Sequence, residues 1–364
     1  MTNNKDYYGK KQYSILPMIS VVIATFNSEH VLQRTLEALA KQTYPRNKLE
    51  ILIIDGGSTD RTMEIAQVYG CIVIHNPKTE PVHAKLLGVQ NAQGKYMMVL
   101  DHDEVLVNPK SLMRRIRLLE RYPSCKVAFC SGYRRPKGYP LLNQYVSEYG
   151  DPFSLYMYNF SKGDGYQEQA LKKICKSSCE TKHYAVLSFA ETKKLPIIEL
   201  CCLATIVNLE WFRKHSNIEQ SEEEMVHMFY IMLSYGYPEV IFLKNDPLVH
   251  YSVDSIQAYL PKLKWRIRNN VHFKDKAING FMGREKYIKY SSLKKYFYVL
   301  YTVCIPISFT HGLILAIARR NPVFLLHPVL CLYVLYEIGL EYRNKLLGRK
   351  PSFTSYDGKK KVTR

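Results

Sequence analysis

Acidic residues are scarce in this sequence relative to basic ones. Of its 364 residues, 32 are Asp or Glu and 51 are Lys or Arg, which leaves a formal net charge of +19 at pH 7. A charge of this sign and size is typical of proteins that meet polyanions, which can be nucleic acid, an anionic membrane surface or a phosphorylated substrate. Because the basic residues concentrate beside apolar segments late in the sequence, we expect anionic membrane lipids rather than nucleic acid as the partner.

Two common nucleotide-binding motifs are missing as well. The sequence has no G-x-x-x-x-G-K-[ST] motif, and no G-x-G-x-x-G follows its first apolar segment, which argues against a P-loop enzyme and a dinucleotide-dependent dehydrogenase. The nine cysteines are odd in number and lie mostly among apolar residues, so we expect a reducing compartment and no disulfide framework. Residues 1–17 lack the apolar core of a signal peptide and are expected to form a polar leader.

Strand-like and helix-like segments alternate over the first third of the sequence. Apolar runs rich in β-branched residues predict buried strands at 19–24, 49–54, 71–74 and 96–100. Apolar residues at helical spacing predict helices at 31–41, 61–69, 83–92 and 111–121. This alternation predicts an α/β fold with a doubly wound parallel sheet. After about residue 140 it weakens, and residues 141–200 carry no readable pattern.

A polar cluster follows three of the predicted strands. The clusters are 25–27, 55–57 and 101–103. In open α/β sheets, ligands bind beyond the carboxyl ends of the strands, so the three clusters predict one binding site. Asp101 and Asp103 are separated by one residue and can face the same ligand. Their carboxylates suit a hard divalent cation that also keeps substrate phosphates in its shell.

In the last quarter of the sequence, basic segments alternate with nearly uncharged ones. Residues 256–295 are strongly basic, 296–318 hold no charge, 322–340 hold a single charged residue, and 341–364 are basic again. About 20 apolar residues can span a bilayer, and basic flanks favour the cytoplasmic side. We therefore predict two membrane helices over 296–340, with a buried hairpin of a soluble domain as the alternative. The connecting Arg319-Arg320 conflicts with a full span and favours a shallow or re-entrant hairpin.

Three blocks of the sequence together resemble the family 2 glycosyltransferases. The blocks are VVIATFN at 21–27, IDGGSTDRT at 54–62, and AQGKY at 92–96 running into LDHD at 100–103. The resemblance covers about residues 18–255 and implies a GT-A fold, in which a doubly wound mixed sheet binds a nucleotide sugar. The apolar segments beyond residue 295 add a C-terminal hydrophobic helical hairpin to the expected fold.

The resemblance assigns roles to single residues. The implied nucleotide contacts are Thr25, Asp55, Lys85 and Asp101. The implied ligands of Mg2+ or Mn2+ are Asp103, Asp101 and His250. Three basic residues of the family-like stretch 255–268 could counter the charge of the diphosphate, and they are Lys264, Arg266 and Arg268.

The general base is the least regular part of the pattern. An inverting transfer to a hydroxyl needs a base near the acceptor, and the family supplies it from an acidic pair before a helix that ends in Gly-Tyr. Here three consecutive glutamates end at Glu224, before a predicted helix at 225–235. By spacing, Glu224 matches the first acid and Met225 stands where the second is expected. We predict Glu224 as the base, or Glu223 after a one-residue shift. The alternative is an acidic helix start that the helix dipole favours.

These observations predict a membrane-attached, inverting glycosyltransferase with its catalytic domain, 18–255, on the cytoplasmic side. Its substrates would be a nucleotide diphosphate sugar and a lipid-linked or glycan acceptor. The segments 256–295 and 341–364 would be a basic juxtamembrane segment and a basic tail. Two alternatives stay open. One is transfer to a polyprenyl phosphate, whose oxygen is already an anion and needs no strong base. The other is a catalytically silent scaffold protein that binds nucleotide sugars.

Overall fold

The computed structural model describes residues 16–192, 198–272, 293–349 and 351. Most of the predicted polar leader, half of the basic segment and most of the basic tail therefore lie outside the described residues. All nine cysteines lie within them, and all nine are free thiols.

Nine of the described strands form one mixed sheet. Its order is β3-β2-β1-β4-β10-β6-β11-β9-β8. The bounds are β1 Ile19–Thr25, β2 Leu49–Asp55, β3 Ile72–His75, β4 Tyr96–Asp101, β6 Val127–Phe129, β8 Lys176–Glu180, β9 Tyr184–Ser188, β10 Thr205–Asn208 and β11 Glu239–Leu243. The first four strands run parallel to one another. β10 lies antiparallel between β4 and β6, which makes the sheet mixed.

Helices cover both faces of this sheet. The helices that precede the C-terminal region are α1 Glu29–Ala40, α2 Thr62–Val68, α3 Pro81–Asn91, α4 Ser111–Arg121, α5 Leu141–Tyr149, α6 Pro152–Tyr158, α7 Gln167–Lys172, α8 Leu209–His215, α9 Glu222–Val226, α10 Met228–Ser234 and α11 Ile256–His272. Alternate residues of β1 enter opposite cores, with Val22 on one face and Val21 and Ile23 on the other. Gly88 lets α3 approach β1 closely, because a Cβ there would overlap Val22. The predicted doubly wound α/β architecture is confirmed.

A second, three-stranded sheet lies over the carboxyl ends of β1 and β4. It consists of β5 Glu104–Leu106, β12 Leu248–His250 and β7 Tyr133–Arg134, in the order β5-β12-β7. β12 runs antiparallel to β5, with His250 opposite Glu104. The backbone N–H of Tyr251 donates to the carbonyl of Asp103 at 2.8 Å. This pairing brings a late strand against the acidic turn that follows β4.

The C-terminal region is helical, but its first apolar segment is bent. The helices are α12 Phe297–Val303, α13 Ile305–Arg319 and α14 His327–Leu346, with a 3-10 turn at Pro322–Leu326. The first of the two predicted membrane helices is bent in the structure, because α12 and α13 meet at 82°. Pro306 lies in the first turn of α13. In a continuous helix, the proline ring would clash with the backbone carbonyl four residues earlier, and proline has no N–H to donate to that carbonyl. For this reason α12 cannot continue through Pro306.

One described helical segment, Pro322–Leu346, is long and apolar enough to cross a membrane. Residues of α12, α13 and α14 share a hydrophobic core with α5, α6 and α11. The outer faces of α12 and α13 nevertheless leave large apolar side chains exposed, among them Leu300 (61%) and Ile317 (71%). The C-terminal region is thus packed against α5, α6 and α11 on one side and apolar on the other.

Candidate functional site

A cavity of about 680 Å³ lies at the carboxyl edge of the parallel strands. Thr25 and Asp101 line it from the sheet, and residues of α5, α6 and α11 line the opposite wall. Five of the eight residues predicted as site residues line this cavity, and they are Thr25, Lys85, Asp101, Asp103 and His250. The convergence expected from the three polar clusters is therefore present at two of them.

Asp55 organises the loop beside the cavity. Its Oδ1 accepts hydrogen bonds from the hydroxyls of Thr25 and Ser58, and its Oδ2 accepts from the backbone N–H groups of Gly57 and Ser58. Asp55 is buried and is not among the described residues that line the cavity. In this structure Asp55 thus holds Thr25 and the glycine turn in place. Its predicted contact with a nucleotide base stays a prediction.

Lys85 joins two parts of the cavity wall. Its Nζ lies 3.0 Å from Asp101 Oδ1 and donates to the carbonyl of Cys201 at 2.8 Å. Burial opposes the charged form of Lys85, but the Asp101 carboxylate outweighs it and holds the pKa of the ammonium above its usual value. Lys85 is therefore a buried cation, and it fixes the end of β4 against the loop around Cys201.

Asp103 and His250 face each other across the two sheets. His250 Nε2 lies 3.6 Å from Asp103 Oδ2, and His250 Nδ1 lies 3.0 Å from the hydroxyl of Ser147. Tyr133 stacks on the imidazole with ring centroids 4.4 Å apart. Burial would raise the pKa of Asp103, but His250, His102 and Lys262 hold it below its ordinary value. Burial lowers the pKa of His250, although the Asp103 carboxylate opposes that shift.

The donor set at this point suits a divalent cation that shares its shell with phosphate. Asp103 supplies a carboxylate and His250 a ring nitrogen, whereas Asp101 is engaged by Lys85. No group of three His, Cys, Asp or Glu side chains close enough to hold a metal occurs within the described ranges. Mg2+ is commonly bound by one or two carboxylates together with substrate phosphates and water. The residues fit a cation that a bound diphosphate would complete.

Two of the basic residues that line the cavity come from α11. Lys262 and Arg266 line it, and burial lowers the pKa of Lys262. Of the three cations expected to counter a diphosphate, Arg266 is thus in position. Lys264 instead lies 3.7 Å from Glu337 of α14, and Arg268 is not among the described lining residues. Lys262, four residues before Arg266 on the same helix, does reach the cavity, although the sequence did not single it out.

The predicted general bases lie elsewhere. The helix expected at 225–235 is split into α9 and α10 at His227, and Met225 is fully buried. Glu224 Oε2 accepts a hydrogen bond from the backbone N–H of Asn217 at 2.7 Å. Neither Glu224 nor Glu223 is among the described residues that line the cavity. Their catalytic role stays a prediction, and this geometry does not by itself support it.

Besides Lys262, sequence reasoning missed three Asp, Glu or Lys residues that line the cavity. They are Asp151, Lys162 and Glu199. All three fall in the 141–200 region, where neither helical nor strand periodicity is readable. No local signal in the sequence could have found Glu199, because long-range contacts alone bring it to the cavity.

Comparison with known proteins finds one family model and several relatives that are similar to part of this chain. Residues 20–189, slightly less than half of the chain, match the model of Glycosyl transferase family 2. Glycosyltransferase AglE of Haloferax volcanii is 34% identical over 96 residues, which are 25% of this chain and 32% of that protein. The PGL/p-HBAD biosynthesis glycosyltransferase of Mycobacterium bovis is 34% identical over 104 residues, 27% and 40% of the two chains. The matched segment thus spans well under half the length of these relatives.

Solved structures give a looser likeness. The mannosyltransferase PcManGT from Pyrobaculum calidifontis, in complex with GDP-Man and Mn2+, has a TM-score of 0.48 at 14% identity, covering 88% of this chain and 87% of that one. Residues 1–349 of S. aureus TarS, in complex with UDP, have a TM-score of 0.43 at 15% identity, covering 95% and 97%.

Proposed function

We propose that this protein, whose residues 20–189 match the model of Glycosyl transferase family 2, transfers a sugar from a nucleoside diphosphate sugar to a membrane-associated or lipid-linked acceptor, with inversion and with the help of Mg2+ or Mn2+. The observation that carries the proposal is the cavity in which the Lys85–Asp101 pair and the Asp103–His250 pair meet at the carboxyl edge of the sheet.

The donor would lie along the strand ends. The nucleoside would occupy the side of Thr25, which Asp55 holds in place, and the diphosphate would lie between Asp103 and the cations of α11. A divalent cation, when bound, would neutralise charge on the departing diphosphate. Lys262 and Arg266 would add donors for the phosphate oxygens. Buried donors of this kind stabilise developing charge more strongly than water does, because they are already oriented.

The acceptor would come from the membrane. The outer faces of α12 and α13 expose large apolar side chains, and the wall of the cavity that α5, α6 and α11 build shares a hydrophobic core with these helices. A bilayer that covers the apolar face would bring a lipid-linked hydroxyl near the cavity. Free thiols and basic flanks favour the cytoplasmic side for the catalytic domain.

One observation favours the polyprenyl phosphate alternative. Glu224 is hydrogen-bonded to Asn217 outside the cavity lining, and a phosphate acceptor would not need such a base. The scaffold alternative would retain binding without turnover, so hydrolysis of a nucleotide sugar panel separates it from an enzyme.

A thermal-shift experiment tests donor binding directly. The full-length protein would be heated with UDP-GlcNAc, UDP-Glc and GDP-Man, each with Mn2+ and with EDTA. We expect at least one donor to raise the unfolding temperature, and EDTA to reduce that shift. A protein that no donor stabilises, with or without Mn2+, would contradict the proposal.

A further inference from the structure

The cavity contains four carboxylates among its described lining residues, and each of them has a neighbour that holds it. Asp101 pairs with Lys85 at 3.0 Å, and Asp103 faces His250 at 3.6 Å. Asp151 caps α6, since it accepts from the backbone N–H of Ser154 at 2.8 Å and from its hydroxyl at 2.9 Å. The fourth is Glu199, which no part of the proposed donor site uses.

Glu199 reaches the cavity from the loop before β10. Its side chain is 16% exposed, and its Oε2 lies 3.6 Å from the Nζ of Lys162. The thiol of Cys202 donates to the same oxygen at 3.5 Å. Lys162 and Cys202 also line the cavity. The carboxylate is therefore oriented by two neighbours while it remains accessible from the cavity.

The loop that carries Glu199 is held in an uncommon backbone conformation. Leu203 and Ala204 have φ values of 58° and 45°, in the left-handed region that non-glycine residues rarely adopt. Such conformations persist where the surroundings determine them, and they concentrate at functional sites. Here the carbonyl of Ala204 accepts from Arg115, and the carbonyl of Leu203 accepts from the thiol of Cys130 at 3.4 Å.

The same loop is tied to the donor side of the cavity. Lys85 donates to the carbonyl of Cys201 at 2.8 Å while it pairs with Asp101. One buried ammonium thus sets the position of the Glu199 loop relative to the acidic end of β4. A carboxylate fixed in this way can hold an acceptor in a constant relation to a bound donor.

We propose that Glu199 is the general base of the transfer, an inference that rests on the proposed function. Its carboxylate takes the proton of the acceptor hydroxyl as that oxygen forms a bond to the anomeric carbon. The bond from the anomeric carbon to the diphosphate oxygen breaks at the same time, and the nucleoside diphosphate leaves with the bonding electron pair. The products are the inverted glycoside and the nucleoside diphosphate, with the proton on Glu199. Met225 stands where the family pattern expects an acid, and it is buried. A methionine cannot act as a general base, so another residue must take that role.

The experiment compares glutamate-to-glutamine variants of the full-length protein. E199Q, E224Q and E223Q are measured beside E191Q, whose glutamate is exposed and paired with Lys176 on the surface. The readout is nucleoside diphosphate release from the donor that wild type binds, with membranes from the expressing cells as the acceptor source. Loss of a positioned base lowers turnover by about 10²–10⁴-fold. We expect that loss in E199Q at unchanged donor affinity, and wild-type rates in E191Q.

A pH profile separates a base from a structural residue. If Glu199 is the base, the acidic limb of the kcat profile disappears in E199Q, whereas lost packing would lower the rate equally at every pH. Full turnover by E199Q, or a loss that falls on E224Q or E223Q instead, would overturn the assignment. Wild-type protein that binds no donor would contradict the proposed function itself, and the role of Glu199 with it.

Discussion

Arg319, in the connection between the two apolar segments, donates from Nε to Glu148 Oε1 at 2.6 Å. Its Nη2 also donates to the hydroxyl of Tyr149 at 2.9 Å, and Tyr149 lines the cavity. A hairpin that crossed the bilayer would carry this connection to the far side. Instead the connection docks on α5 of the catalytic domain. This arrangement argues against a full span through the connection at Arg319, and a hairpin that lies in the membrane interface stays a prediction.

Replacing Arg319 should destabilise the protein, because Glu148 is buried and would lose its ionic partner. Removing one member of a buried ion pair costs about 3–5 kcal/mol, and the partial exposure of Arg319 places R319M near the lower end of that range. The unfolding midpoint in detergent measures the effect. R320M is the matched control, since Arg320 is exposed. Equal midpoints for the two variants would show that the connection is not docked.

Asp103→Asn should remove the metal dependence of donor binding while the fold survives. The carboxylate is the hard oxygen donor at the acidic turn, and an amide is a weaker ligand for Mg2+ or Mn2+. Thermal shifts with UDP-GlcNAc, UDP-Glc and GDP-Man, with Mn2+ and with EDTA, test this. The control is D254N, whose aspartate is exposed. Wild-type donor binding that EDTA leaves unchanged would contradict the metal assignment.

Lys85→Met should weaken both the site and the fold. The variant leaves the Asp101 carboxylate and the Cys201 carbonyl without their shared donor. An unsatisfied buried group costs about 1–3 kcal/mol, and the loop that carries Glu199 loses its tie to β4. We expect a lower unfolding midpoint and a higher donor Kd. Lys41→Met, at an exposed position, should change neither quantity. A stable K85M with wild-type donor affinity would refute the bridging role of Lys85.

The parts of the fold that the sequence predicts well are those that local pattern determines. β1, expected at 19–24, forms at Ile19–Thr25, because its run of β-branched residues is buried on both faces. β8 could not be predicted in this way. It is a largely exposed strand with the sequence Lys-Ser-Ser-Cys-Glu, so no apolar alternation marks it. Its place comes from pairing with β9, which is a long-range property of the sheet.

The site residues also differ in whether local sequence pattern or long-range contacts determine their positions. Thr25, Asp101 and Asp103 follow predicted strands directly, so a topological rule locates them at the binding edge. Glu199 has no such marker, since its position depends on Lys85, Cys130 and Arg115, which hold its loop from other elements. The split of the predicted 225–235 helix at His227 likewise could not be read from an apolar run that continues without a break.

The membrane prediction can now be tested on the exposed face of α12 and α13 without disturbing the core. Truncation after Lys295 would remove Tyr298 and Tyr301, which are buried against the catalytic domain, and would confuse folding with anchoring. Leu300 and Ile314 are 61% and 58% exposed, so L300E/I314E changes the outer face alone.

In fractionated cells, wild-type protein should stay with the membranes through a high-salt wash. Salt screens the attraction of basic residues to anionic headgroups, which is worth about 1 kcal/mol for each residue, but it does not weaken the burial of apolar side chains in the bilayer. L300E/I314E should instead be released into the salt wash, since two carboxylates oppose insertion into the acyl region. Val68 is 77% exposed on α2, and V68E should stay on the membranes as wild type does. Wild-type protein in the soluble fraction, or equal retention of L300E/I314E, would show that this face does not meet lipid. The lipid-linked acceptor would then lose its main support, and a soluble glycan would become the better candidate.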